Sequence, residues 1–171
     1  MNGSKWLLIA VWSFVVAGLL SVCTGCGARN PYLARYKVQT AEQEHALLAQ
    51  EWPTEADEIL LAKQKLRTDP RNFEAMLALS RAYTAIAERE GVPGAFRDYC
   101  LEAGGYELKL YRARGGGFPP ALIAETGRNL HLREDSCRGH RWLKKAIALE
   151  AGLDAEYGAV AKEARVVCEK R

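Results

Sequence analysis

The sequence lacks a strong excess of charge of either sign. Its 171 residues carry 24 Lys and Arg against 21 Asp and Glu, a formal net charge of +3 at pH 7. A dedicated nucleic-acid-binding domain concentrates far more Lys and Arg than this, so we expect no nucleic-acid partner. Five Cys are too few for a disulfide scaffold. With 26% charged and 49% hydrophobic residues, the chain has the composition and length of one folded domain.

The motifs that carry common enzyme chemistry are also missing. The glycines at 115–117 are followed by Phe-Pro-Pro rather than by Lys and Ser or Thr, so they predict a hinge and not a phosphate-binding loop. His131, Cys137 and His140 match no zinc spacing, and no third group orients a Cys-His nucleophile. We therefore expect no enzyme, no catalytic residue, no metal and no cofactor.

The N-terminal segment has the organisation of an export signal. Lys5 precedes a charge-free apolar run from Trp6 to Val22, and small residues follow that run. This order of a charged start, an apolar centre and small residues indicates a secretory signal. The run is also just long enough for a single membrane span, so an uncleaved anchor is the alternative.

The end of this segment resembles a bacterial lipoprotein signal, in which a small residue precedes a Cys that is lipidated and becomes the new N-terminus. Gly25 and Cys26 match that pattern, while Cys23 stands where the family prefers Leu. The resemblance implies a signal peptide over residues 1–25, lipidation at Cys26 and attachment to the membrane through several acyl chains. Gly27 in place of Asp favours the outer membrane, with the protein facing the periplasm.

Residues 26–38 begin at the lipidation site and carry Arg29, Arg35 and Lys37. They predict a membrane tether close to the lipid headgroups, and a solvated linker is the alternative.

The rest of the chain has the pattern of helices separated by Pro and Gly. Thr40 and Gln43 form a capping box, Thr54 is placed to cap a second helix, and Asp69 with Pro70 ends it. Further helices are predicted after Phe73, over 96–114, 121–133, 139–150 and 154–170. No segment alternates in the way of a strand, so the sequence predicts an all-α fold.

An internal repeat becomes visible when Pro120 is aligned with Phe73. Gly127 and Ser80 then share the eighth position, and Gly139 takes the twentieth position of the unit that starts at Pro120. This chain resembles the tetratricopeptide-repeat family here, in which small residues at these two positions let paired helices approach closely.

The resemblance implies a short solenoid over residues 39–171, with about three repeats and a C-terminal capping helix. The units are 39–72, 73–119 and 120–153, followed by the cap at 154–171. The second unit exceeds the usual 34 residues, which places an insertion around residues 90–99. A non-repeat helical bundle is the alternative.

Three cysteines fall in similar places in this arrangement. In the repeat frame, Cys100, Cys137 and Cys168 all lie at the turn end of consecutive helix pairs, with Cys137 in the middle. Export implies an oxidising compartment, so we expect Cys137 to pair with either Cys100 or Cys168. Three unlinked thiols are the alternative.

The same frame predicts a binding face. Tetratricopeptide repeats bind peptides on the inward face of each first helix, where this chain has Arg81, Arg128 and Lys162 at the ninth position and Thr84 and His131 at the twelfth. We call Arg81, Arg128 and Lys162 the basic stripe. It suits an acidic segment or a C-terminal carboxylate, although an ordinary solvated face is the alternative.

Together these features predict a membrane-anchored periplasmic adaptor or assembly factor, similar to the pilotins of secretion and pilus machines, whose partner is another envelope protein. The alternative is a small-ligand-binding lipoprotein that works with a transporter. That function requires an enclosed apolar pocket in the concavity of the solenoid, and no sequence feature marks one.

Overall fold

The computed structural model describes residues 40–106 and 117–170, and these residues form an all-α fold with no strand among them. The predicted signal peptide, Cys26 and the tether lie outside the described residues. Residues 40–106 and 117–170 form seven helices, and a 3₁₀ turn, Ala151–Leu153, joins the last two of them. The helices are α1 (Ala41–Leu48), α2 (Pro53–Thr68), α3 (Phe73–Ala87), α4 (Gly94–Ala103), α5 (Pro120–Leu132), α6 (Ser136–Leu149) and α7 (Asp154–Glu169).

The predicted capping box at the start of α1 is confirmed. The Gln43 amide N–H donates to Thr40 Oγ1 at 3.2 Å, and the Thr40 amide N–H donates to Gln43 Oε1 at 3.2 Å. The predicted cap at Thr54 is wrong, because α2 begins one residue earlier at Pro53 and has no side-chain cap. Proline suits the first helical position, since the N–H that it lacks would have no partner there.

Two other helix starts are capped by residues that the pattern did not mark. Asn72 accepts from the Ala75 amide at 2.9 Å, and Asp135 accepts from the Arg138 amide at 3.3 Å. The cap at Asp135 lets α6 begin at Ser136, before the predicted start at Gly139. The stretch predicted as helix over 96–114 forms α4 only as far as Ala103 within the described residues.

Consecutive helices pack against each other, which is compatible with a short helical solenoid. The apolar side chains form two cores, and α5 contributes to both of them, because Leu122 packs into the first and Ile123 into the second. The first core joins α1 to α5, and the second joins α5, α6 and α7. α5 is therefore the element on which the two halves of the domain meet.

The predicted close approach of small residues is confirmed between α5 and α6. A Cβ atom at Gly139 would lie 2.7 Å from the Gly127 carbonyl oxygen, closer than Cβ atoms come to a non-bonded oxygen. Gly104 makes a similar approach to α3, since a Cβ there would lie 3.2 Å from the Ser80 carbonyl oxygen. The glycines thus set the spacing of both helix pairs.

The structure pairs Cys137 with Cys168, with 4.8 Å between the two Cα atoms, and leaves Cys100 as a buried free thiol. The expectation that Cys137 has a partner is confirmed, and Cys168 is that partner. The bond fastens the end of α7 to the start of α6. Burial, with a smaller contribution from the charge of Glu44, raises the pKa of Cys100 to about 12, so this thiol is protonated at neutral pH.

Replacing both Cys137 and Cys168 by Ala is expected to lower the free energy of unfolding by about 2–4 kcal/mol, because the unfolded chain regains the freedom of the closed loop. Urea unfolding followed by circular dichroism measures the change. Dithiothreitol should destabilise the wild-type protein by a similar amount and leave the double variant unchanged. Equal stability of the two proteins without reductant would contradict the pairing.

Candidate functional site

The basic stripe is distributed over three helices, with Arg81 on α3, Arg128 on α5 and Lys162 on α7. Arg81 extends from α3 to α7. Its Nη2 atom donates to the two carboxylate oxygens of Glu156 at 2.9 and 3.2 Å and to the Tyr157 hydroxyl at 3.2 Å. The stripe is therefore not a row of free cations, because its first member already binds a carboxylate of the same chain.

Arg128 is also bound within the chain. Its guanidinium donates to Glu88, and its Nη1 atom lies 3.8 Å from Glu125 Oε2. Its Nε atom is buried and has no hydrogen-bond partner among the described residues. Lys162 is exposed on α7, and the described part of the chain offers it no ion pair.

A buried carboxylate lies at the centre of this face. The Glu125 side chain is fully buried, and the Tyr157 hydroxyl donates to its Oε2 atom at 2.9 Å. Burial and then the charge of Glu125 raise the pKa of Tyr157 above its ordinary range, so the phenol stays protonated and donates. Arg81, Glu125 and Tyr157 thus join α3, α5 and α7 through one set of polar contacts.

The two residues predicted to flank the stripe lie differently from what the frame implies. Thr84 is only 1% exposed, and its hydroxyl is buried without a partner among the described residues, so it does not lie on the surface. The buried side of α3 is wider than the repeat pattern suggests, because Ser80, Tyr83 and Ala87 are buried with it. His131 is partly buried, with Nδ1 2.9 Å from Ser136 Oγ and Nε2 3.7 Å from a Glu163 oxygen.

A second buried carboxylate was missed by the sequence reasoning. Glu44 on α1 is 3% exposed and accepts hydrogen bonds from Lys63 on α2, Tyr83 on α3 and Tyr99 on α4. The Tyr99 bond measures 2.5 Å, and the two phenol oxygens are 3.3 Å apart. We call these four residues the Glu44 cluster.

The position of Glu44 offered one local signal. It precedes the fully buried Leu48 by four residues, so the two side chains share one face of α1, and an acid on an apolar face requires partners. Burial is the largest cause that raises the pKa of Tyr83 and of Tyr99 well above the ordinary value, and both phenols therefore remain donors. The cluster fastens α1 to the next three helices.

A charged cleft of about 370 Å³ lies between α4 and the turn that joins α5 to α6. Arg97 crosses it, and its Nη2 atom donates to the Leu132 carbonyl oxygen at 2.9 Å. Part of the insertion predicted around residues 90–99 lines the cleft, since Arg97 and Asp98 lie on α4 and face it. The lining residues are Arg97, Asp98, Glu102, Leu132, Arg133 and Glu134.

Within residues 40–106 and 117–170, no group of three or more His, Cys, Asp or Glu side chains is arranged to hold a metal ion. The same residues include no helix with both the length and the apolar character needed to cross a bilayer. Comparison of the chain with protein-family models, with curated proteins and with solved structures finds no match.

Proposed function

We propose that this chain is a lipid-anchored protein of the bacterial cell envelope that acts as an adaptor or assembly factor. In this proposal, acyl chains on Cys26 hold the N-terminus at the membrane, and the face formed by α3, α5 and α7 binds an acidic segment or a C-terminal carboxylate of another envelope protein. The mechanism is positional, since anchoring raises the local concentration of the domain near its partner. No chemical step is required of any residue.

The observation that carries the proposal is the way in which Arg81 binds Glu156. Both side chains are about half exposed, at 44% and 50%, so the pair lies at the surface, where an ion pair contributes about 0–1 kcal/mol. A carboxylate from a partner could therefore replace Glu156 at little cost. The pair between Arg128 and Glu88 is also partly exposed and offers a second guanidinium on the neighbouring helix.

Two guanidiniums on adjacent helices suit a partner with two or more carboxylates. Arginine binds carboxylates with two parallel hydrogen bonds, and a ligand that engages both side chains gains more than one that engages a single charge. Lys162 adds a third cation on α7. The arrangement thus favours an extended acidic segment that crosses α5, rather than a single side chain.

Replacing Arg81 and Arg128 together by Ala is expected to reduce recovery of the partner at least tenfold, because both contacts to its carboxylates are lost. The measurement is an in-cell crosslink and pull-down of the tagged full-length protein, with partners identified by mass spectrometry. Recovery by the wild-type protein should also fall as the salt concentration of the wash increases.

The matched control is Arg165→Ala, which removes an exposed arginine of α7 that pairs with Glu169 one turn later. This variant should recover the partner as the wild-type protein does. If the Arg81 and Arg128 double variant recovers the same proteins with the same salt dependence, the basic stripe has no role in binding.

The alternative function, a small-ligand-binding lipoprotein associated with a transporter, remains a second proposal. Among the described residues, the charged cleft is a feature that bears on small-ligand binding, and its lining residues are not those of the basic stripe. It is open and polar, unlike the enclosed apolar pocket that the alternative requires.

A further inference from the structure

The charged cleft has the size of a small-molecule site. Its volume of about 370 Å³ falls within the range of about 300–1,000 Å³ that ligand pockets occupy. Five of its six lining side chains are charged, with two guanidiniums and three carboxylates. A cleft that concentrates charges of both signs can orient a ligand that itself carries both signs.

These charges do not neutralise one another within the domain. Among the described residues, none of the five charged side chains forms an ion pair, and the one hydrogen bond that any of them makes runs from Arg97 to Leu132. That bond holds the Arg97 guanidinium in place, while its other N–H groups have no partner in the described part of the chain. Residues 40–106 and 117–170 thus supply no ion-pair partner to these five side chains, and Arg97 is already positioned.

Glu134 adds an independent observation. It is the one non-glycine residue with positive φ among the described residues, with φ of 66° directly after the C-cap of α5. The Glu134 amide donates to the His131 carbonyl at 3.0 Å, and the Asp135 amide donates to the Leu130 carbonyl at 2.9 Å. Glycine usually occupies this position, because it adopts positive φ without strain.

A strained glutamate at a cleft suggests that its carboxylate is used. Residues held in sparsely populated backbone conformations cluster at active sites and ligand clamps. Glu134 lines the cleft together with Asp98 and Glu102 from α4. Backbone geometry alone would favour Gly at this position, whereas a role in binding a cation requires the carboxylate.

We propose that this cleft binds a basic α-amino acid, with the chemistry of lysine, arginine or ornithine. Such a ligand has two cationic groups and one carboxylate, which complements the three carboxylates and two guanidiniums of the cleft. Arg97 and Arg133 bind the ligand carboxylate, and Asp98, Glu102 and Glu134 bind its cationic groups. The carbonyl end of α5, with its partial negative charge, adds to the preference for a net positive ligand.

The ligand chemistry has two sources, the free amino acid and the C-terminal residue of a peptide. Both carry a carboxylate and a basic side chain, but only the free amino acid has an α-ammonium group. The site does not depend on the adaptor function, since none of its residues belongs to the basic stripe.

Isothermal titration of the full-length protein in detergent tests the site. L-lysine is expected to bind at one site with a Kd below about 1 mM, whereas 1,5-diaminopentane and hexanoate, which each lack one sign of charge, should bind at least tenfold more weakly. Nα-acetyl-L-lysine distinguishes the sources. Weaker binding than L-lysine indicates the free amino acid, and equal or tighter binding indicates a C-terminal residue. Absence of saturable binding by both compounds overturns the proposal.

Glu134→Gly separates binding from folding. It relieves the positive φ, so the variant should unfold at the same or a higher temperature, yet it should bind L-lysine about tenfold more weakly. Arg133→Gln should weaken binding by a similar factor, while Arg165→Gln on α7 should leave it unchanged. Binding by Glu134→Gly and Arg133→Gln at wild-type affinity overturns the assignment even if L-lysine binds elsewhere.

Discussion

Replacing Glu44 by Ala is expected to lower the free energy of unfolding by about 3–5 kcal/mol, because it removes the acceptor of three hydrogen bonds in the interior. The carboxylate is 3% exposed and serves Lys63, Tyr83 and Tyr99. Without it, the Lys63 ammonium loses its carboxylate partner, and the Tyr83 and Tyr99 hydroxyls lose the acceptor that they share. Glu44 joins α1 to α2, α3 and α4, so we expect α1 to separate from the domain most easily when these hydrogen bonds are lost.

Urea unfolding measured by circular dichroism gives the change in free energy, and hydrogen exchange of the α1 amides reports local detachment. Glu58→Ala is the matched control, because Glu58 is exposed on α2 and should change stability by no more than about 0.5 kcal/mol. Glu44→Gln keeps an oxygen acceptor for the phenols, so its free energy of unfolding should lie between those of Glu44→Ala and Glu58→Ala. A loss below about 1 kcal/mol for Glu44→Ala would mean that solvent replaces the carboxylate.

Replacing Gly139 by Ala is expected to lower the free energy of unfolding by about 3 kcal/mol, because the added methyl group has no space. Its Cβ would lie 2.7 Å from the Gly127 oxygen and 2.9 Å from the His131 amide nitrogen. Both are backbone atoms, so no side-chain rotation relieves the clash and α5 must move away from α6. The loss exceeds the gain of about 1 kcal/mol that Ala brings to a helix interior.

Gly152→Ala is the matched control, since a Cβ atom at Gly152 would have no neighbour within 4 Å. This variant should keep its stability or gain about 0.4–1 kcal/mol, because Ala restricts the unfolded chain. Thermal unfolding compares both variants with the wild-type protein. If Gly139→Ala is as stable as Gly152→Ala, the close approach of α5 and α6 does not exist in solution.

Local sequence patterns predicted the structure where the interacting atoms lie within a few residues of each other. The capping box at Thr40 and the end of α2 before Asp69 both follow from contacts within one helical turn. The same local reasoning was wrong at Thr54, since the preceding proline also favours a helix start and the pattern did not rank the two signals. The repeat frame also predicted one contact between two helices, the close approach of Gly127 and Gly139.

Local sequence patterns did not predict the contacts between helices that are distant in the sequence. The partner of Arg81 is Glu156, 75 residues away, and the partners of Glu44 come from three other helices. The repeat frame treated Arg81 and Arg128 as solvent-facing cations and Thr84 as a surface residue. Each of these placements depends on how far neighbouring helices rotate and tilt, which helical periodicity along one segment does not specify.

The sequence by itself determined the all-α class, the approximate positions of most helices and the small residues that bring α5 and α6 together. It also favoured Cys137 as a residue with a disulfide partner. Only the tertiary structure decided that the partner is Cys168, that Glu44 and Glu125 are buried acceptors, and that the stripe arginines bind carboxylates of the same chain. The physical reason is the distance along the chain over which each kind of interaction acts. Helix formation and capping depend on neighbours within one turn, whereas the pairing of charged side chains depends on the orientation of whole helices, which packing of the complete core sets.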